Sequence, residues 1–438
     1  MRNFKKVILL LLLIVIFERV LTFLLEPITF QHYLEMELYQ KESENMQPDM
    51  VFIGNSRVSS TFVPSVFTES MEDVDCAFNA GTGSQGIAGT YYYLKDILQQ
   101  YDLKYVVVGV DYQTVLKEER MPKKDLVVLE RLKSPVVKAQ FMLDVFEPSE
   151  YIYFLKSYQY KNNIQDIPAN LKQKLSKEYR QGIYTGQEGM VYEDLGFTRE
   201  KDVFGNGAGI YYSHEWVEAE IDPDRMKYLD KIIELCKEAE VSIFLVSTPL
   251  TISTVYGTSG YEECCHFFKA YAEEKNVVYD NLNLLKGREE FLPDSKMSSM
   301  EHVGADAANV VSEYYCEIVE KRLAGEDVES YFYTSVEEMK ENMVDIAACA
   351  FHTEKSDENG NRTIFAEALF KEGTEVVYQF EMEKNKETMV LQEYSSNTQC
   401  NLAAENISFP MKLRVKCQSL GDGSEKVFEM QIEEDTWE

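Results

Sequence analysis

Ser56 lies in VFIGNSRVSS, residues 51–60, where a short apolar run breaks into Gly54-Asn55 and a string of small polar residues. A hydroxyl at such a strand-to-helix turn admits two readings. Ser and Asn there ordinarily cap a helix; alternatively, the serine is a nucleophile, which needs a base within hydrogen-bond reach. The chain holds five histidines, at 32, 214, 266, 302 and 352. His302 stands in LPDSKMSSMEHVGADAANVVSEYY, after the last strand-like run of the central region and just ahead of an amphipathic helix. That order brings it to the same sheet edge as Ser56. The chemistry open to such a pair is nucleophilic catalysis, with imidazole as the proton acceptor.

The elements that must position this pair alternate in type. Strand-like runs fall at MVFI (50–53), CAFNA (76–80), YVVVGV (105–110), VSIFLVS (241–247) and VVYD (277–280), with helical stretches at 90–101, 224–240 and 261–275 between them. Near-continuous apolar strands separated by amphipathic helices predict a parallel sheet covered on both faces. Five of them predict a flavodoxin-like three-layer α/β sandwich, whose ligands gather at the carboxyl ends of the strands. An insertion at about 114–222 separates the third and fourth strands, either a lid on the cleft or a cap over the sheet edge. From about Ser335 the period changes to two, in six short segments between 345 and 434 with turn signals at Asn359-Gly360 and Gly421-Asp422-Gly423. A small antiparallel β-sandwich is expected there. The run RLAGEDVE at 322–329 reads as a helix end followed by a linker.

At the N-terminus, MRNFKK precedes eleven uninterrupted apolar residues, and VLTFLL follows Glu18-Arg19. No small-residue cleavage site closes the segment, so an uncleaved anchor fits better than a signal peptide. Residues 7–25 would reach ~28 Å as a helix, close to a bilayer core. The basic end then stays inside and the bulk of the chain is extracytoplasmic, on a single-pass anchor in the cell membrane. The expected organisation is an anchor at 1–28, a polar stalk at 29–48, the α/β unit at 49–325 and the β-sandwich at 335–438. The formal charge of −31 opposes nucleic acid and disfavours anionic lipids or polymers as tight partners. Eight cysteines show neither CxxC nor metal-ligand spacing, so no metal and no cofactor are called for. Cys400 and Cys417 lie in the strand-rich region, where one disulfide between them is possible.

In order of segments the chain resembles the SGNH/GDSL hydrolase superfamily, in particular its membrane-anchored Gram-positive cell-surface members. The likeness covers about residues 50–320 and rests on GNSR at 54–57, FNAGTGSQGIAGTYYYLKDIL at 78–98, VVVGVDY at 106–112 and the segment ending in His302-Val303-Gly304. It implies Ser56 as nucleophile, His302 as base and an oxyanion hole from the N–H groups of Ser56 and of Gly83 or Ser84. Asn55, Arg57 and Asp111 join these as candidate substrate-binding or oxyanion positions. Two departures stand out. The family's aspartate three residues before the histidine is Ser299 here, with Asp294 and Glu301 nearby as substitutes, and the oxyanion asparagine of the third block is Asp111, whose charge would repel an oxyanion. The resemblance therefore implies either an esterase or O-acyltransferase acting on a cell-envelope or exopolysaccharide glycan, with a membrane-bound acyltransferase as candidate partner, or a degenerate member serving as a binding or scaffold component of polysaccharide assembly.

Overall fold

The computed structural model describes residues 2–27, 47–118, 122–177, 190–192, 195–200, 215–342, 346–357, 360–371, 373–384, 387–421 and 423–432. All but the last two residues of the expected stalk lie outside these ranges, as does most of the Tyr- and Gly-rich part of the insertion. In chain order the α/β unit contains β1 (Met50–Ile53), β2 (Ala77–Asn79) and β3 (Tyr105–Gly109). A short hairpin within the insertion supplies β4 (Met190–Tyr192) and β5 (Thr198–Glu200), after which come β6 (Ser242–Ser247) and β7 (Val278–Asn281). Five of these form one parallel sheet in the order β2-β1-β3-β6-β7. The five expected strands are all present, and helices lie against both faces of the sheet.

Both faces are dry because successive residues point to opposite sides of a strand. Val51, Ile53, Val106, Val108 and Leu245 enter one core; Met50, Phe52, Val107, Phe244 and Val246 enter the other. Each fully buried side chain of this kind contributes about 1.5–3 kcal/mol relative to exposure. The strand order reverses between β1 and β3, so the loops leaving their carboxyl ends diverge and open a crevice. Ser56 follows β1 and Asp111 follows β3, one on each side of it.

The insertion works as both a cap and a wall. The carbonyl of Leu195 accepts from Asn79 N at 2.8 Å, laying the hairpin turn along the outer edge of β2. Gly196 makes this approach at φ +86°, and a Cβ there would fall 1.9 Å from the Asn79 carbonyl oxygen. Glu118 and Lys124, from the same insertion, line the crevice instead.

RLAGEDVE ends its helix at Leu323, but the chain beyond that end is not a free linker. Val328 and Phe332 are buried in the α/β core, Tyr333 and Met339 join its other face, and Tyr333 N donates to Leu284 O at 2.8 Å. Beyond this come β8 (Ile346–Lys355), β9 (Arg362–Phe370), β10 (Val376–Lys384), β11 (Glu387–Ser395), β12 (Gln399–Leu402), β13 (Met411–Ser419) and β14 (Glu425–Ile432). They make antiparallel sheets ordered β11-β10-β13-β14 and β12-β9-β8, which share a core of Ile364, Phe380, Leu402, Leu413 and Val415. The strand missed in the sequence is β12, only four residues long. Cys400 and Cys417 do not pair, and all eight cysteines are buried free thiols. At the N-terminus, Arg2–Leu25 is one helix, and its Phe4–Leu25 stretch is long and apolar enough to cross a membrane.

A Cβ on Gly109 would lie 2.3 Å from Val58 Cγ2, so the end of β3 and the first helix interlock at the crevice. Gly109→Ala should destabilise by about 1–3 kcal/mol through overpacking. Adding Val58→Ala should recover part of that loss in urea unfolding, because the two sites share one space. Strict additivity of the two losses would contradict this contact.

Candidate active site

The backbone turns sharply after β1. Gly54 has φ +153°, and its carbonyl accepts from Thr82 N at 3.0 Å, tying the turn to the segment after β2. Asn55 then caps the helix Ser56–Thr61, its Oδ1 accepting from Arg57 N at 3.0 Å. The cap is therefore Asn55, which leaves the Ser56 hydroxyl unspent on its own helix. Asn79, at the end of β2 and fully buried, clamps the helix from below: its amide donates to Val58 O at 3.0 Å and Phe62 O at 2.8 Å, while its Oδ1 accepts from Gly81 N at 3.0 Å. Gly81 is required at this approach, since a Cβ would lie 2.7 Å from Ser59 N. The sequence reading missed Asn79, although a polar residue ending the buried run CAFNA was the available signal.

His302 is presented by a tight loop. Met297 and Val303 bridge antiparallel, Ser298 N donates to His302 O at 2.8 Å, and Thr251 N donates to Met300 O at 2.8 Å. The helix Ala305–Leu323 starts soon after, capped by Gly304. In this setting His302 Nε2 lies 2.8 Å from Ser56 Oγ, and Nδ1 lies 2.7 Å from Ser299 Oγ. Ser299 Oγ also accepts from Glu301 N at 3.3 Å. With the ring proton on Nδ1 donated to Ser299 Oγ, Nε2 accepts from the Ser56 hydroxyl, which is the tautomer a general base requires.

The other candidates fall elsewhere. Asp294 is buried against the first turn of the helix Ile252–Gly257, whose N-cap is Thr251: its carboxylate accepts from Ile252 N at 2.5 Å, Ser253 N at 3.2 Å and Ser253 Oγ at 2.8 Å. Burial pushes this carboxyl above the usual range, and those donors together with Arg288 pull it partly back. The Glu301 carboxylate accepts from the Tyr112 hydroxyl at 2.5 Å and pairs with Arg57 at 2.7 Å.

Asp111 resolves differently from an oxyanion ligand. Its Oδ1 accepts from Gln113 N at 2.8 Å and Thr114 N at 3.0 Å, and Thr114 Oγ1 takes Asp111 N in return at 2.9 Å, a capping box on the short helix Tyr112–Val115. Its Oδ2 takes Asn55 Nδ2 at 3.2 Å and pairs with Arg57 Nη1 at 2.7 Å. The negative charge is thus committed to Arg57, which is only 2% exposed. Burial works against the guanidinium charge, yet Asp111, Tyr112 and Glu301 together hold its pKa above the ordinary value. Tyr112 is itself pushed up by burial, with Arg57 opposing and Glu301 adding to the shift.

A cleft of about 200 Å³ opens before Ser56, lined also by Ser84, Gln85, Gln113, Lys124 and Arg225. Ser84 takes φ +60° at its rim, whereas Gly83 is exposed and does not line it. Among the described residues no cluster of His, Cys, Asp and Glu could hold a metal ion.

No family model and no curated protein matches the chain. Among solved structures it is similar to a Bacteroides fragilis protein bearing the provisional name of an acylhydrolase, with 13% identity over 65% of this chain and 94% of that one and a TM-score of 0.30. It is also similar to a gut microbial diltiazem-metabolizing enzyme, with 10% identity over 79% of this chain and 70% of the other and a TM-score of 0.31. At this distance the likenesses carry no chemistry, which rests on the geometry above.

Asp111→Asn should leave Arg57 buried beside one carboxylate in place of two. The expected cost is about 3 kcal/mol, the lower part of the range for stripping a partner from a buried charge. Urea unfolding measures it, and a loss below half a kcal/mol would show that Asp111 is not the counter-ion of Arg57.

Proposed function

We propose that this chain is a serine esterase or O-acyltransferase of the SGNH/GDSL type, tethered by its N-terminal helix on the extracytoplasmic side of the membrane and acting on acyl groups of a cell-envelope or exopolysaccharide glycan. The single observation that carries the chemistry is the line Ser56 Oγ, His302 Nε2, His302 Nδ1, Ser299 Oγ, with gaps of 2.8 and 2.7 Å at its two ends. Ser56 Oγ attacks the acyl carbonyl while Nε2 takes its proton. The alcohol leaves with that proton, and a second hydroxyl, of water or of an acceptor sugar, releases the acyl group by the reverse sequence. Among the described residues the N–H groups of Ser56 and of Ser84, which both line the cleft, donate to no protein acceptor. They supply the donors that a tetrahedral oxyanion needs. A membrane-bound acyltransferase handing over the acyl group is the partner this reading calls for, if transfer rather than hydrolysis is the physiological direction.

A second reading, a binding or scaffold component of polysaccharide assembly, is favoured by Ser299. A neutral hydroxyl fixes the ring tautomer but does not stabilise the imidazolium by charge, and altering the aspartate in serine proteases costs about 10⁴-fold in kcat. A fluorophosphonate probe and a short-chain aryl acetate separate the readings. Ser56→Ala and His302→Ala should abolish labelling and hydrolysis to similar extents, since the pair acts as a unit. Ser299→Asp should raise kcat and move the acid limb of the pH–rate profile upward, because a carboxylate beside Nδ1 favours the protonated ring. A wild-type chain that neither labels nor hydrolyses would establish the scaffold reading.

A further inference from the structure

The N-terminal helix is held at its outer end by the insertion. Glu18, set within the apolar stretch, accepts from Ser157 N at 3.1 Å and from the Ser157 hydroxyl. Lys156 pairs with Glu26 at 2.7 Å, and Lys174 Nζ donates to the carbonyls of Phe23 and Glu26, each at 2.6 Å. Asn163 and Asn170 donate to the carbonyl of Leu25 at 3.4 and 3.2 Å. These are the last carbonyls of the helix, which have no partner within it. Helical turns between Pro148 and Lys174 thus form a collar around residues 18–26, a length of about 12 Å along the helix axis.

The outer surface of this collar is unlike the rest of the protein. Leu155, Ile164 and Leu175 are 45%, 67% and 58% exposed, and each is the immediate neighbour of a residue that grips the helix: Lys156, Asn163 and Lys174. Ile152 is 42% exposed one 3₁₀ turn from Leu155, and Leu143 on the preceding helix is 73% exposed. Tyr151, Tyr153, Tyr158 and Tyr160 fall in the same segment, a composition that suits the boundary between headgroups and acyl chains.

We propose that the collar is a second membrane-contacting element, which seats its exposed leucines and isoleucines in the outer interface of the bilayer. This rests on the anchor reading of the N-terminal helix and goes beyond it. A lone anchor followed by a flexible connection would let the α/β unit tumble, whereas a collar bonded to residues 18–26 holds that unit against the anchor's last turns. The bilayer is favoured over a soluble protein partner because the apolar residues flank a helix that itself has the length and composition of a span.

The test uses the full chain reconstituted into vesicles of phosphatidylcholine containing one quarter phosphatidylglycerol. Because every native cysteine is buried, a maleimide-linked environment-sensitive dye reports only on introduced thiols. Leu155→Cys and Ile164→Cys sample the collar; Ser396→Cys, exposed in the C-terminal sandwich, is the control. The expected result is a blue-shifted emission at both collar positions, with most of the intensity lost to lipids carrying a doxyl quencher near the headgroup, and neither effect at Ser396. Dyes that stay unquenched while the protein floats with vesicles after an alkaline wash would overturn the docking and leave the anchor standing. Failure to float would remove the anchor reading and the docking with it. A collar signal that depends on the protein-to-lipid ratio and is insensitive to the quencher would assign the face to a second copy of the chain, and the proposal would fall.

Discussion

The guanidinium of Arg57 is the constraint on which the site depends. It follows the nucleophile candidate directly, it is buried, and it must be neutralised where it lies, because an isolated charge in the interior costs several kcal/mol. Asp111 arrives from the end of β3 and Glu301 from the loop just before His302. One cation therefore draws together the three segments that the sheet topology brings to the crevice. Since Glu301 and His302 are adjacent, fixing the carboxylate on Arg57 also fixes the height of the imidazole relative to Ser56.

The contact of Ser299 with Nδ1 belongs to the same arrangement. The loop 297–303 is pinned by the bridge between Met297 and Val303 and by the bond from Thr251 to Met300, so the ring is oriented largely by backbone. Ser299 then has only to select the tautomer. A carboxylate at that position would lie near the two already spent on Arg57, adding like charge to a partly buried pocket.

The sequence made the outline legible wherever a local pattern decided the outcome. Apolar runs such as VVVGV can be satisfied only by a strand covered on both faces, and the places of Ser56 and His302 at the sheet edge come from counting strands. What depended on non-local partners was not legible. Asp111 reads as a hostile charge for an oxyanion until Arg57 is seen to be buried against it; Asp294 reads as a partner for histidine until its bonds to Ile252 and Ser253 are seen. Asn79 reads as the tail of a strand, though its amide donates twice to the helix Ser56–Thr61 and its Oδ1 accepts from Gly81 N. The strand β12 is too short to show a period, and the tethering of residues 326–339 to the α/β core depends on burial of Val328 and Phe332, which a polar-looking run conceals.

The hairpin turn laid against β2 has a consequence for how such a chain survives its own folding. An exposed strand edge in a parallel sheet is a template for another copy, and parallel sheets assemble slowly because their pairings are distant in sequence. The outer edge of β2 is one such edge, and the backbone of Leu195-Gly196 occupies it at a distance that only glycine permits. A side chain at position 196 would lift the turn and leave the N–H of Asn79 facing solvent beside the apolar run of β1 and β2. The glycine thus guards against aggregation as much as it shapes a loop, and its loss would be felt first as a lower yield of folded protein.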